Sequence, residues 1–179
     1  MFWLWAGVSE ASPLTLEAIL EPLKTESSGI LHFEESRTPK GLKTPLRTTG
    51  ELQFIPPDRL IRRSLSPESA EYLIEGGMVS ITDPSREESI RFDLAELPEL
   101  EHFATALRAL LIGDSALLRS HFAITLSGDI SRWHLDLRPL DAEPTETESL
   151  RIEGQNGRLS EILLIDRIGT SSQIKLSRP

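Results

Sequence analysis

The rhythm of apolar and polar positions changes along this chain and predicts where helices and strands fall. Between residues 14 and 23, Leu16, Ile19, Leu20 and Leu23 recur at spacings of three and four. That spacing puts them on one face of a short amphipathic helix, and Pro13 suits its first turn. From Ile30 onward the period falls to two. Leu52 and Phe54 alternate with Glu51 and Gln53, and Val79 and Ile81 alternate with Ser80 and Thr82, as in half-buried strands. Pro56-Pro57-Asp58, Ser66-Pro67-Glu68, Gly76-Gly77 and Asp83-Pro84-Ser85 separate the apolar runs, and such short turns predict antiparallel hairpins.

Helical spacing returns from about Pro98 to Ile112, where Leu100, Phe103, Ala104, Leu107, Leu110 and Leu111 make a broad apolar stripe. Gly113 is placed to stop this helix, and Asp114 or Ser115 to cap a further short helical turn carrying Leu117 and Leu118. Strands resume near His121. Phe122, Ile124 and Leu126 lead to a turn at Gly128-Asp129, and Trp133, Leu135 and Leu137 alternate with His134, Asp136 and Arg138. Further strands are expected over 150–153, 159–167 and 173–176, joined by Asn156-Gly157 and Gly169-Thr170-Ser171. No internal repeat is visible.

Helix, strands, helices, strands is an α+β order rather than alternating βαβ units. It predicts one large antiparallel sheet whose apolar face has only two or three short helices to cover it. An incompletely covered concave apolar face marks a binding site, and a long acyl chain suits it, since each buried CH₂ contributes about 0.8 kcal/mol.

Composition narrows the picture. A chain of 179 residues fits one domain over 12–179 that buries roughly 70% of its unfolded surface. The net charge of -9 disfavours nucleic acid and anionic membrane surfaces as main partners. Cysteine is absent, which removes disulfides and thiolate metal sites. Residues 1–11 contain the apolar stretch Phe2-Trp3-Leu4-Trp5-Ala6-Gly7-Val8 before Ser9-Glu10-Ala11, which reads as a signal-peptide remnant or an apolar tail packed on the domain. No run approaches the ~20 apolar residues of a membrane span.

Catalytic signatures are weak. Gly113-Asp114-Ser115 resembles the nucleophile block of one lipase and esterase family, but it ends a helix mid-chain, and no Asp-x-x-His follows it. His32, His102, His121 and His134 are scattered without metal-ligand spacing. They read as strand-end or surface residues, with His121 a candidate for a cavity mouth. No phosphate loop or dinucleotide fingerprint occurs. The expectation is a binding protein, not an enzyme, with no catalytic residue, metal or cofactor. Asp141, Glu143, Glu146 and Glu148 around Pro144 read as a solvated loop, with a docking patch for a basic partner as the alternative. Arg59, Arg62 and Arg63 are either the wet side of a strand or a cavity rim that meets lipid headgroups.

The ordered marks across the chain resemble the bacterial outer-membrane lipoprotein carriers of the LolA family. They are Phe33 with Glu34 and Glu35, then Gly50-Glu51-Leu52-Gln53-Phe54 with Pro57, then Pro67, then Gly76-Gly77-Met78-Val79-Ser80-Ile81. The stretch from Leu150-Arg151-Ile152 through Gly157 and Ile162 to Gly169-Thr170-Ser171-Ser172 is similar to the family's last hairpins. Pro56-Pro57-Asp58-Arg59-Leu60 and Ala106 to Asp114 resemble motifs of a divergent subgroup. The resemblance implies an unclosed β-barrel around a hydrophobic cavity, with helices as a lid, acting in the periplasm of a Gram-negative bacterium. It implies a monomer without cofactor that takes acylated lipoprotein or lipid cargo from an inner-membrane transporter to an outer-membrane receptor. One departure is Pro56, which stands where the typical carrier has an arginine that holds the lid closed. Arg59 or Arg62 is a candidate replacement, and the cargo need not be strictly lipoprotein.

On this basis the cavity is expected to be lined from the strands by Leu52, Phe54, Val79, Ile81, Phe92, Leu94, Phe122, Ile124, Trp133 and Leu135. Leu16, Leu20, Phe103, Leu107 and Leu111 are expected from the helices, with Arg59 and Arg62 at the rim. Ordinary core packing is the competing expectation for each residue. The competing function is a sensor or scaffold that uses the same half-barrel to bind a protein partner without transport.

Overall fold

The computed structural model describes residues 14–26, 29–86, 88–140 and 147–179. The expectations for residues 1–11, for Pro13, and for Asp141, Glu143 and Glu146 lie outside the described residues.

An α-helix, α1 (Leu16–Glu26), precedes a meander of six strands: β1 (Gly29–Thr38), β2 (Leu46–Ile55), β3 (Arg59–Ser66), β4 (Ala70–Glu75), β5 (Met78–Asp83) and β6 (Glu88–Asp93). Helices α2 (Pro98–Ile112) and α3 (Ser115–His121) follow. A second meander completes the chain with β7 (Phe122–Asp129), β8 (Arg132–Pro139), β9 (Thr147–Gln155), β10 (Arg158–Asp166) and β11 (Ser171–Ser177). All eleven strands form one sheet in the order β6-β5-β4-β3-β2-β1-β11-β10-β9-β8-β7. Every pairing is antiparallel. The meanders join at the centre, where β1 pairs with β11 and Phe33 lies opposite Leu176. Strands β6 and β7 are opposite ends of the order, so the single antiparallel sheet expected from the α+β pattern is an open half-barrel, as the family resemblance implies.

The element boundaries follow local chemistry. Gly113 ends α2 in the left-handed region at φ 77°, a conformation that glycine adopts without a Cβ penalty. The Asp114 carboxylate then accepts from the Leu117 amide at 2.8 Å and caps α3. The first helix runs past its expected end and carries Pro22 inside it. Pro22 removes a backbone donor, but Leu23, 1% exposed, anchors the turn that follows. Leu94 departs from the strand expected for it and opens a short 3₁₀ turn, Leu94–Glu96. There the Asp93 side chain accepts from the Ala95 amide at 3.0 Å, which turns the chain off β6 toward α2.

Strand alternation builds the concave face. On β2, Gly50, Leu52 and Phe54 are buried while their neighbours are not. Gly50 sits there because a Cβ would lie 1.9 Å from the Arg63 carbonyl oxygen and 2.8 Å from the Phe33 ring. Gly50→Ala is therefore expected to lower stability by ~1–3 kcal/mol through overpacking, read as a lower urea midpoint at unchanged slope.

Candidate functional site

The helices do not cover the concave face evenly. Their most extensive contacts with the sheet are those of α3 with β7, α2 with β9 and α1 with β10. Under those contacts side chains fill the space: Trp133, Leu135, Leu137 and Leu150 are 0% exposed, and Ile152 and Ile162 are 1% exposed. Toward β2, β3 and β4 the helices stand off, and side chains bridge the gap incompletely. Two cavities lie there, of about 680 Å³ and 590 Å³, and both reach across the seam to residues of β10 and β11, with a smaller one of about 170 Å³ beside them. Leu60 lines all three and is 5% exposed, so its side chain is the wall between them.

The larger cavity carries more charged side chains, Glu35, Arg37, Arg62, Glu68, Glu96, Glu99 and Asp166 among its lining. The Arg62 guanidinium donates to the Glu35 carboxylate at 2.5 Å, and the Ser172 hydroxyl donates to the other oxygen of Glu35. Arg62 also stacks 4.5 Å from the centre of the Phe33 ring and 5.9 Å from that of Tyr72, the distance range of cation–π attraction. The Nε of Arg62 is buried without a hydrogen-bond partner among the described residues. The 590 Å³ cavity is apolar over most of its wall: Leu23, Leu31, Leu52, Phe54, Leu60, Leu107, Leu111, Leu159 and Leu176. Its polar margin is Gln155, Asn156, Arg158, Ser160, Ser177 and Arg178.

Among the residues expected to line a cavity, Leu52, Phe54, Leu107 and Leu111 lie in the apolar one. Phe103 lies in the largest one and Leu94 in the small one. Leu16, Leu20, Val79, Phe122, Trp133 and Leu135 are buried in the continuous core. Ile81, Phe92 and Ile124 are partly buried against that core.

The two rim arginines separate by strand parity. Arg62 shares the inner face of β3 with Leu60 and lines the larger cavity. Arg59 lies on the other face, where it forms a two-bond pair with Glu75 at 2.9 and 3.0 Å. Arg63 pairs outside the cavity with Glu71 at 2.7 Å. Alternation along Arg59-Leu60-Ile61-Arg62 was the available signal for this split, and for Leu60 as a lining residue.

The histidines divide as well. His102 is 7% exposed on α2, against the surface position expected for it, and meets the Phe122 ring edge-on with centroids 6.1 Å apart. The stripe of α2 is wide enough to bury this position. His121 is exposed at the end of α3, where its carbonyl accepts from the Leu140 amide at 3.0 Å. Among the described residues, no group of three or more His, Asp or Glu side chains is placed to hold a metal ion. No helix among them is long and apolar enough to cross a membrane.

An open antiparallel half-barrel with helices across its concave face, and with space left between them, defines a class of hydrophobic-cavity proteins. The family model described as outer membrane lipoprotein carrier protein LolA-like matches residues 8–174, and the chain belongs to that family. Among solved structures it is similar to a LolA superfamily protein, NE2245, from Nitrosomonas europaea. The identity is 13%, with 92% of each chain covered and a TM-score of 0.47. It is also similar to a chain of the Pseudomonas aeruginosa MucA/MucB complex, at 14% identity, covering 91% of this chain and 56% of that one, with a TM-score of 0.46. A third similarity is to a putative outer membrane lipoprotein-sorting protein domain from Vibrio parahaemolyticus, at 9% identity, 90% and 89% coverage and a TM-score of 0.46. No curated protein matches the chain.

Proposed function

We propose that the protein is a periplasmic carrier that holds an acyl chain of a lipoprotein, or of another outer-membrane lipid, in the apolar cavity between α2 and β2. In this reading it works as a monomer, without cofactor or chemical conversion. It collects cargo from an inner-membrane transporter and releases it to an outer-membrane receptor. The observation that carries the reading is the unfilled space over β2 and β3, reaching β10 and β11, beside the fully buried Trp133, Leu135, Leu137 and Leu150 of β8 and β9. The leucine-lined space of about 590 Å³ is partly open to solvent, so its apolar walls are left without packed neighbours that an acyl chain can supply. It falls within the ~300–1,000 Å³ of ligand pockets.

Native mass spectrometry of protein purified from cells tests this. The expected result is a mass increment released by organic extraction and identified as an acylated molecule. A labelled long-chain fatty acid should bind the extracted protein with one-to-one stoichiometry. Absence of both would hand the half-barrel to the sensor or scaffold reading, in which a protein partner occupies it.

A further inference from the structure

We infer that the 590 Å³ cavity takes an acyl chain with an anionic head, a carboxylate or a phosphate, and that Arg158 and Arg178 hold this head while the methyl end lies toward Leu60. The inference rests on the reading that this cavity holds an acyl chain. Its lining comes from β10, β11, β1, β2 and β3, which are neighbours in that order in the sheet. Crossing from β10 to β3 takes four interstrand steps, a path of about 19 Å at the usual strand spacing. That path is longer than an extended dodecyl chain.

The two ends of that path differ in charge. Arg158 opens β10 and Arg178 follows the last residue of β11, and among the described residues they are the only charged side chains in the lining. Arg178 continues the period-two series Ser172, Ile174 and Leu176, all of them buried, so the inward face of β11 ends on a guanidinium at the cavity wall. Both arginines are exposed, which puts their charged ends at the mouth while their stems border the apolar lining. A guanidinium carries five N–H donors in a planar fork that matches a carboxylate or a phosphate, so the contacts it already makes leave donors for a head group. Beyond Leu60, at the other end, lies the larger cavity with Glu35, Glu68, Glu96, Glu99 and Asp166 against Arg37 and Arg62. An anionic head is therefore attracted at the β10–β11 end and repelled at the β3 end, which fixes the direction of the chain. The net charge of the protein is -9 and acts against any anion at long range, so a preference for one reports these two arginines.

Calorimetric titration with four dodecyl amphiphiles below their micelle concentrations tests the inference: the ionised carboxylate, the phosphate, the maltoside and the trimethylammonium. At least one anion is expected to bind about 10-fold more tightly than the ammonium, the ratio that ~1.4 kcal/mol produces, and the tighter of the two anions identifies the head. In Arg158→Gln/Arg178→Gln the preference should fall below about 3-fold, while unchanged maltoside affinity reports an intact fold and tail site. A control with the same net charge, Lys40→Gln/Arg47→Gln, alters exposed cations outside the cavity linings and should keep the full preference. Ammonium binding as tight as that of both anions, or an equal fall in the control, overturns the inference while maltoside binding still upholds the tail site. Failure of all four amphiphiles to bind overturns both.

Discussion

Trp133→Ala is expected to lower the stability of the protein by ~3–5 kcal/mol, the cost of emptying a large aromatic site that cannot collapse. Trp133 is 0% exposed. Its strand partner across β8 and β9 is Gly154, where a Cβ would fall 2.0 Å from the indole ring. The ring therefore lies on glycine backbone, and both strand partners of Trp133, Gly128 and Gly154, lack a side chain that could swing into the void. In a chain of this size each kcal/mol shifts the melting temperature by ~2–4 °C, so calorimetry should show a drop of about 10 °C. Leu60→Ala provides the contrast. Leu60 is similarly buried, at 5% exposure, but has open space on its cavity sides. It has fewer contacts to lose, and its substitution is expected to cost ~2 kcal/mol, the lower end of the range for leucine. Equal losses at the two positions would mean that the sheet is packed evenly and that the cavities are closed in solution.

That contrast between a filled and a hollow region was the part of the molecule the sequence could not show. The element order was legible because it rests on local signals. The period-two runs, the Gly113 stop and the Asp114 cap each report the backbone at their own position. The inward set of each strand was legible for the same reason: Leu52, Phe54, Val79, Trp133 and Leu135 are all buried. Which inward residues touch empty space depends on how far a helix stands from a strand dozens of residues away. The stripe of α2 looks alike over both regions, yet Leu107 and Leu111 meet a cavity whereas Ala106 and Leu110 are 0% exposed in the core. Charged residues hid the rest. Leu60 lies between Arg59 and Ile61, beside two further arginines, and Glu35 reads as half of a polar pair, although its carboxylate turns inward to Arg62. A buried charge paired across strands carries no local mark in sequence, because its partner is fixed by register, here the β1–β2–β3 ladder.

Leu31→Trp is expected to block acyl-chain binding without harming the fold. Leu31 lies on β1 opposite Leu52, lines the apolar cavity and is only half-buried, so an indole at this position has a void to enter rather than a packed neighbour to displace. Filling a cavity restores dispersion contacts that its lining lacks, and the melting temperature should hold or rise slightly. The acyl chain, in contrast, loses the length of cavity that the ring occupies. If about two methylenes are excluded, the loss is ~1.6 kcal/mol, or roughly 15-fold in affinity. A dodecyl probe should weaken by that factor, and a shorter octyl probe, which reaches less far into the cavity, should weaken less. Unchanged affinity for both chains in a well-folded Leu31→Trp protein would place the tail elsewhere on the sheet. A fall in melting temperature matching the fall in affinity would show that Leu31 belongs to the packed core and that the cavity beside it does not exist in solution.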